Sequence, residues 1–439
     1  MKFPVSNPRG SALIIVLWIA FGLVAITLYF ANSMSSELRA SDNRVSGLVA
    51  EQAIEGAARY VTHILANQLT NGTVPDLTTY GSRAMPVGDA HFWFIGRDPD
   101  ATTTPSQVYF GLVDEASKLN LNAVAATNLV LLPVLNLTDA LAANIVDWRN
   151  PNGTTSANGD GPSAYSLLQP SYLCKSAPYE TVDELRLVYG MTMDLLTGED
   201  LNHNGLLDPN EVDDNHNGIA DPGLLDYVTV FSREPNVLTN GSPRANVNNR
   251  NQELAPLLQQ SFGTTRANEI LARLGPPGVP IRSPLEFFVL SRMKAEEFAV
   301  IELLITTTAN TNDIIGRVNV NTAGAAVLAC LPGLDADKAQ QLVDYRVANP
   351  DALGSVAWVR SVLSQGDATR VGPYITTHSY QFTADIAALG PYGRGYRRER
   401  FVFDTSSGTP KIIFRQDLSH LGWALGKDVR QTWLAQATP

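Results

Sequence analysis

The feature that most constrains this chain is "SALIIVLWIAFGLVAITLYFANSMSS", 26 residues from Ser11 to Ser36 without a single charged side chain. About 20 such residues suffice to cross a bilayer as a helix, because no other short element satisfies its backbone groups in hydrocarbon. Lys2 and Arg9 precede the run and Glu37 is the first charge after it. The positive-inside bias therefore leaves the N-terminus cytoplasmic and the bulk of the chain outside the cytoplasm. A cleaved signal peptide is the competing reading, since the small residues of "FANSMSS" follow, but the usual apolar core is only about 7 to 15 residues. The pattern also continues: Leu38, Val45, Leu48, Val49, Ala53, Ala57, Tyr60, Val61, Ile64 and Leu65 recur at three- and four-residue steps. Such spacing predicts one long helix, apolar in its first part and amphipathic in its second.

The remaining chain, of 439 residues in all, is long enough for two or three cores. Its 32 basic and 43 acidic residues give a net charge of −11, which disfavours a nucleic-acid partner. The two cysteines, Cys174 and Cys330, have no metal or redox spacing, and their separation alone does not fix whether they pair.

Three stretches resemble one another: "KLNLNAVAATNL" from Lys118, "RANVNNRNQELA" from Arg244 and "RVNVNTAGAAVL" from Arg317. Each opens with a base and two spaced Asn residues, then continues as two helix patterns around a break, the mark of an αα-hairpin. Further along each comes a Thr or Ser before another apolar helix start, in "YETVDELRL", "IRSPLEFFVL" and "LGSVAWVRSVL". A hydroxyl there can accept from the unpaired amides of a first turn.

Between the first two of these stretches lies "DLNHNGLLDPNEVDDNHNGIADPGLLDYV". Asp200, Asn202, Asn204, Gly205, Leu206, Asp208 and Glu211 occupy positions 1, 3, 5, 6, 7, 9 and 12 of a calcium loop. Alternate residues turn oxygens inward, Leu206 supplies its carbonyl, Gly205 allows the bend, and Glu211 can close the sphere. This many oxygen ligands suits Ca²⁺ better than Mg²⁺. A second loop runs Asp213, Asn215, Asn217, Gly218, Ile219 and Asp221, but Leu224 stands at position 12, so Asp226 is the candidate to close it. Simple Asx and Gly turns are the alternative. His203 and His216 fall at outward positions and read as solvated.

Around the insert, "DAHFWFIGRD", "SQVYFGLVDE", "HSYQFTADIAAL", "RRERFVFDT" and "PKIIFRQDL" alternate and read as antiparallel strands. The basic run "RGYRRERF" reads as a solvated hairpin face, with polyanion binding as the alternative. Catalytic signatures such as GxSxG, HExxH, the P-loop and the dinucleotide fingerprint are absent from the sequence, so no enzyme is expected.

The start "PRGSALIIVLW" resembles the class III leader of type IV pilins and type II secretion pseudopilins. That resemblance implies prepilin peptidase cleavage between Gly10 and Ser11, methylation of the new terminus, and a retained apolar anchor. Ile15 stands at the fifth mature position, where most of those proteins carry Glu. The third repeat resembles the helix-hairpin-helix motif, but Asp335 and Asp337 in its "PGLDAD" turn oppose phosphate. Together "LVDEASKLNLNAV", "NIVDWRNP", "TVDELRLVYGM" and "RVNVNTA" resemble the K-class minor pseudopilin of type II secretion, a class in which the missing Glu is itself a feature.

The resemblance implies an α+β chain. A pilin-like N-terminal helix packs on a small antiparallel sheet, with a large inserted α-helical domain of helix-hairpin-helix or SAM-like repeats. The expected divisions are a leader at 1–10, an anchor at 11–36 and a second half-helix with first strands at 37–117. Inserted repeats follow at 118–316 with the calcium loops at 200–226, a third repeat at 317–372, and C-terminal strands at 373–439. Also implied are calcium in the helical region, I- and J-class minor pseudopilins and the prepilin peptidase as partners, and a single-pass inner-membrane location with a periplasmic head. The expected role is at the pseudopilus tip, initiating assembly and supporting export. A type IV minor pilin and a membrane-anchored DNA-binding protein are the alternatives.

Overall fold

The computed structural model describes residues 11–67, 72–97, 107–276, 278–309, 311 and 313–436. The leader, including Gly10, lies outside them. Helix α1 (Ser11–Asn67) is continuous over 57 residues, about 85 Å at 1.5 Å per residue. No proline interrupts it, and its long aliphatic and alanine residues favour helix. Among the described residues it is the one helix long and apolar enough to cross a membrane, and that apolar half is unburied. The packed stripe begins later than the periodicity suggests. Leu38, Val45 and Leu48 are exposed, whereas Ala50, Ala53, Ile54, Ala57, Val61, Ile64 and Leu65 are buried.

That stripe covers one face of an antiparallel sheet. Its strands are β1 (Met85–Val87), β2 (Ala90–Ile95), β3 (Val113–Asp114), β4 (Gln381–Leu389), β5 (Arg397–Asp404) and β6 (Lys411–Asp417). The order is β1-β2-β4-β5-β6, and β3 shares with β2 one edge of β4. Phe94 lies opposite Ile386, and Asp114 opposite Phe382. Phe92, Phe94, Phe382, Ile386, Phe401 and Phe403 meet α1. Trp93, Ile95, Ala387 and Leu389 turn to the opposite face, where they meet Leu425 and Val429. Helix α7 (Gly426–Gln436) begins within that second layer. Because both faces are covered, every residue of β4 is buried. The sequence reading finds β2, β4, β5 and β6; of the expected strand "SQVYFGLVDE" only Val113–Asp114 joins the sheet, as β3, and the three residues of β1 are too few to show alternation.

Between β3 and β4 the chain departs into three units sharing one core, which runs from Leu121 and Trp148 through Leu254 and Phe287 to Leu328 and Trp358. Each unit opens on a two-residue strand and closes on another, parallel to it. Leu119–Asn120 pairs with Val228–Thr229, Ala245–Asn246 with Ile305–Thr306, and Val318–Asn319 with Ile375–Thr376. The spaced asparagines explain why the units repeat. The first Asn of each pair accepts from the backbone two residues on, with Oδ1 of Asn120, Asn246 and Asn319 taking the amides of Asn122, Asn248 and Asn321 at 2.8 to 2.9 Å. The second Asn pins the approach to the closing helix. Asn122 exchanges two bonds with the backbone of Tyr179, and Asn248 does the same with Ile281. Asn321 donates to Leu353 O and accepts from Trp358 Nε1.

The helices between follow the sequence reading in part, because the closing segments Val182–Leu187 and Val356–Ser361 are 3₁₀ turns and only that of the second unit is an α-helix. In the first unit α2 (Asp139–Trp148) is capped by Thr138, and in the third α5 (Ala325–Ala329) and α6 (Ala336–Ala348) flank a turn. In the second unit α3 (Ala255–Arg273) carries the expected break at Gly263, and α4 (Pro284–Ser291) starts at Ser283, whose Oγ accepts from Glu286 N. Cys174 and Cys330 are both free thiols, Cys330 buried in the common core.

Candidate metal centre

Residues 199–226 leave the first unit after a short helix, Met193–Thr197, and return to pair with their own start. Glu199 N donates to Asp221 O at 2.9 Å and Gly223 N to Thr197 O at 3.1 Å, so the excursion is closed at its base. Within it the two expected loops have one backbone form. Position four of each, His203 and His216, has φ of 54° and 61°, and position six, Gly205 and Gly218, has φ of 80° and 76°. Left-handed backbone at position six is the bend for which glycine is required there.

In the first loop the anticipated ligands converge. Asp200 accepts from the amides of Asn204 at 2.9 Å and Gly205 at 2.8 Å. Asn202 and Asn204 both donate to Asp208 Oδ2 at 2.8 Å. Glu211 reaches back to accept from Asn202 N at 3.3 Å and Asp208 N at 2.8 Å. Burial, followed by the nearby Asp200 and Asp208 charges, raises the pKa of the Glu211 carboxyl above its ordinary value. Asn202 Oδ1 is buried and unpartnered. Such an atom costs free energy unless something donates to it or coordinates it.

The second loop repeats the pattern at the surface. Asp213 accepts from Asn217 N at 3.1 Å and Gly218 N at 2.8 Å, and Asn217 Nδ2 donates to Asp221 Oδ2 at 3.1 Å. Ile219 N donates to Asn217 Oδ1 at 2.7 Å, which turns the peptide of Ile219 as Leu206 is turned in the first loop.

Two expectations need correction. Asp226 does not stand at the end of the second loop. It accepts from Arg97 Nη2 at 2.8 Å and faces His203 Nδ1 at 3.6 Å. Burial opposes its charge, but Arg97 and then His203 hold its pKa well below the usual carboxylate range. The carboxylate that spans the second loop is Glu199, which lies before both loops in sequence. It accepts from Asp214 N at 2.8 Å and Asp221 N at 3.1 Å, as Glu211 accepts across the first loop. His203, expected in solvent, is buried, whereas His216 is exposed.

The first loop is fastened to the sheet by arginines. Arg398 of β5, fully buried, pairs with Asp385 of β4 through Nε–Oδ1 at 2.7 Å and Nη2–Oδ2 at 2.8 Å. Its remaining donors go to the carbonyls of Asn202 and His203. The run "RGYRRERF" is thus not wholly a solvated face, because alternation along β5 turns Arg398 inward. Arg97, just beyond β2, bridges Asp200 and Asp226 at 2.8 Å each. Asn202 Nδ2 also donates to Trp423 O at 3.1 Å. A cleft of about 280 Å³ opens beside this junction, between Leu206, Asp208 and Gly218 of the loops and Lys427 and Asp428 of α7.

Among the described residues no three Asp, Glu, His or Cys side chains are gathered closely enough to ligate a metal by themselves. A cation here would depend on asparagine and backbone oxygens beside the carboxylates, the donor set of a hard-ion loop. Asp200, Asn202, Asn204, Asp208, Glu211 and the Leu206 carbonyl fit such a set in the first loop. Asp213, Asn215, Asn217, Asp221, Glu199 and the Ile219 carbonyl fit it in the second.

A family model described as type II secretion system (T2SS), protein K, matches residues 112–198, and a second model with that description matches residues 318–371. They cover the first unit up to the loops and nearly all of the third. No curated protein matches the chain. Among solved structures, a chain of the GspK-GspI-GspJ complex from the enterotoxigenic Escherichia coli type 2 secretion system superposes with a TM-score of 0.42 at 11% identity. The superposition covers 87% of this chain and 99% of that one.

Proposed function

We propose that the chain is a minor pseudopilin of the type II secretion system protein K family, whose models match residues 112–198 and 318–371, and that it sits at the tip of the pseudopilus. There it initiates assembly and supports export of folded proteins across the outer membrane. The observation that carries this reading is the family match on the first and third units, in a chain whose spine is a single apolar helix. Cleavage after Gly10 would leave Ser11 as the mature terminus and α1 as a single inner-membrane span, with the head in the periplasm. Ile15 supports the tip position: a buried Glu there needs a neighbour's terminal amine as partner, and the uppermost subunit has no neighbour above it. I- and J-class minor pseudopilins are the partners proposed, with the inserted units as a helix-hairpin-helix-like scaffold for the complex.

The units are poorly suited to DNA. Asp335 caps α6 by accepting from Lys338 N at 2.9 Å, so a carboxylate already occupies the amide end that a phosphate would use. Deleting the gene should leave cargo in the periplasm while pilus-driven motility is unchanged. Lost motility with intact export would point instead to a type IV minor pilin.

Calcium is the cofactor proposed for both loops. The unpartnered Asn202 oxygen and the shared backbone form support it. Arg97 beside Asp200 offsets part of the charge of Asp200, Asp208 and Glu211, which favours an affinity of about 10⁻⁴ to 10⁻³ M, as in extracellular modules. The ion would supply no reaction chemistry; it would order the loop against the sheet.

A further inference from the structure

The turn joining β4 to β5, residues 390–396, lies directly on α1 just beyond the apolar run. A Cβ on Gly395 would come within 2.3 Å of Gly47 N, and one on Gly390 within 2.3 Å of Ser46 O. Only glycines allow this seating, and it fixes the turn against the helix backbone. Arg394 Nη1 reaches Asp42 Oδ2 at 3.6 Å, and Trp433 of α7 backs the turn at Gly393. Tyr392, at φ 58°, is held at the tip with 69% of its surface exposed.

The position and chemistry of this turn match a membrane surface. At about 1.5 Å per residue, the seat of the turn at Ser46 and Gly47 stands ~15 Å beyond Ser36, the last residue of the uncharged run, and Asp42, which Arg394 reaches, stands ~9 Å beyond it. The latter distance is about one screening length at physiological salt. Glu37 and Asp42 are the acidic residues between Ser36 and Gly47, against Arg39 and Arg44, while the turn adds Arg394 and the first residue of β5 adds Arg397, without any acid between Gly390 and Arg397. In a chain of net charge −11 this pole is basic. Tyrosine suits the headgroup layer because its ring is apolar and its hydroxyl polar, and arginines beside an anionic leaflet are attracted to it.

We propose that the β4–β5 turn is a lipid contact. While α1 spans the bilayer, Tyr392, Arg394 and Arg397 rest on anionic phospholipid headgroups and set the angle of the head. This rests on the reading of α1 as a span, and the test separates the two. The full chain, in a Cys174→Ala background, is placed in nanodiscs of phosphatidylethanolamine and phosphatidylglycerol carrying headgroup nitroxides. A fluorophore is attached at Tyr392→Cys or, as the distal control, at Ser407→Cys in the β5–β6 turn. Quenching at 392 should exceed that at 407 by about threefold or more, and should fall in phosphatidylcholine discs, at about 0.5 M salt, and in Arg394→Gln/Arg397→Gln. Equal quenching at both positions in a chain that resists carbonate extraction would overturn the contact alone. Release by carbonate would overturn the span and the contact with it.

Discussion

Glu199 and Glu211 hold equivalent places in the two loops, so each Glu→Gln substitution should remove part of the calcium-dependent rise in melting temperature. Asp226→Asn should lower stability equally with and without calcium, because its charge is used by Arg97. Differential scanning measurements in Ca²⁺ and in chelator check both; a calcium response lost in Asp226→Asn and kept in Glu199→Gln would reverse the assignment. At this scale the first loop was legible because its candidate ligands follow at fixed steps within twelve residues. Glu199 was not, because it precedes the loop that it spans and is brought there by the pairing of Glu199 with Asp221. Arg398 was hidden for a related reason: only the strand register, which sets Arg398 opposite Ala387 and one step from Asp385, shows which arginine of a basic run points inward.

The second asparagine of each unit ties two segments more than thirty residues apart. Asn248→Ala should therefore cost about 2 to 3 kcal/mol, by leaving Ile281 N and O without their partners, and should speed amide exchange across α4. Unchanged exchange in α4 would show that the asparagine does not hold it. The joint between units depends on Glu234, buried between Arg244 at 3.0 Å and Arg317 at 3.2 Å. Burial raises its pKa, but Arg317 and Arg244 outweigh this and hold it below its ordinary 4.5. A depressed pKa stabilises above the unfolded value and loses that contribution as pH falls through the folded one. The melting temperature should therefore drop below about pH 4.5, and Glu234→Gln, costing about 3 to 5 kcal/mol at neutral pH, should flatten that drop. A wild-type slope retained in the variant would move the effect elsewhere. The helices of the units were legible from apolar spacing and caps. Their closing strands were not, since two residues such as Ile305–Thr306 carry no periodicity and gain meaning only beside Ala245–Asn246.

For the molecule as a whole, ligand-linked stability predicts that free Ca²⁺ at ten times its dissociation constant adds about 1.4 kcal/mol per occupied site. Because Arg398 and Trp423 join the first loop to the sheet, this gain should appear in the melting of the sheet and not only in the loops. Calorimetry of the head with added Ca²⁺, then chelator, should show one shifted transition, whereas a shift confined to a minor early transition would show the loops melting separately. The long helix and the sheet could be read from hydropathy and alternation, but their junction could not, because it depends on Gly390 and Gly395 meeting α1. The chain leaves the sheet at Asp114 and re-enters at Gln381, on strands paired side by side at Asp114 and Phe382. Topologically everything between is a parenthesis. Its length and content can change without moving the paired ends of β3 and β4, so the inserted units and the body formed by α1 and the sheet are not bound to vary together.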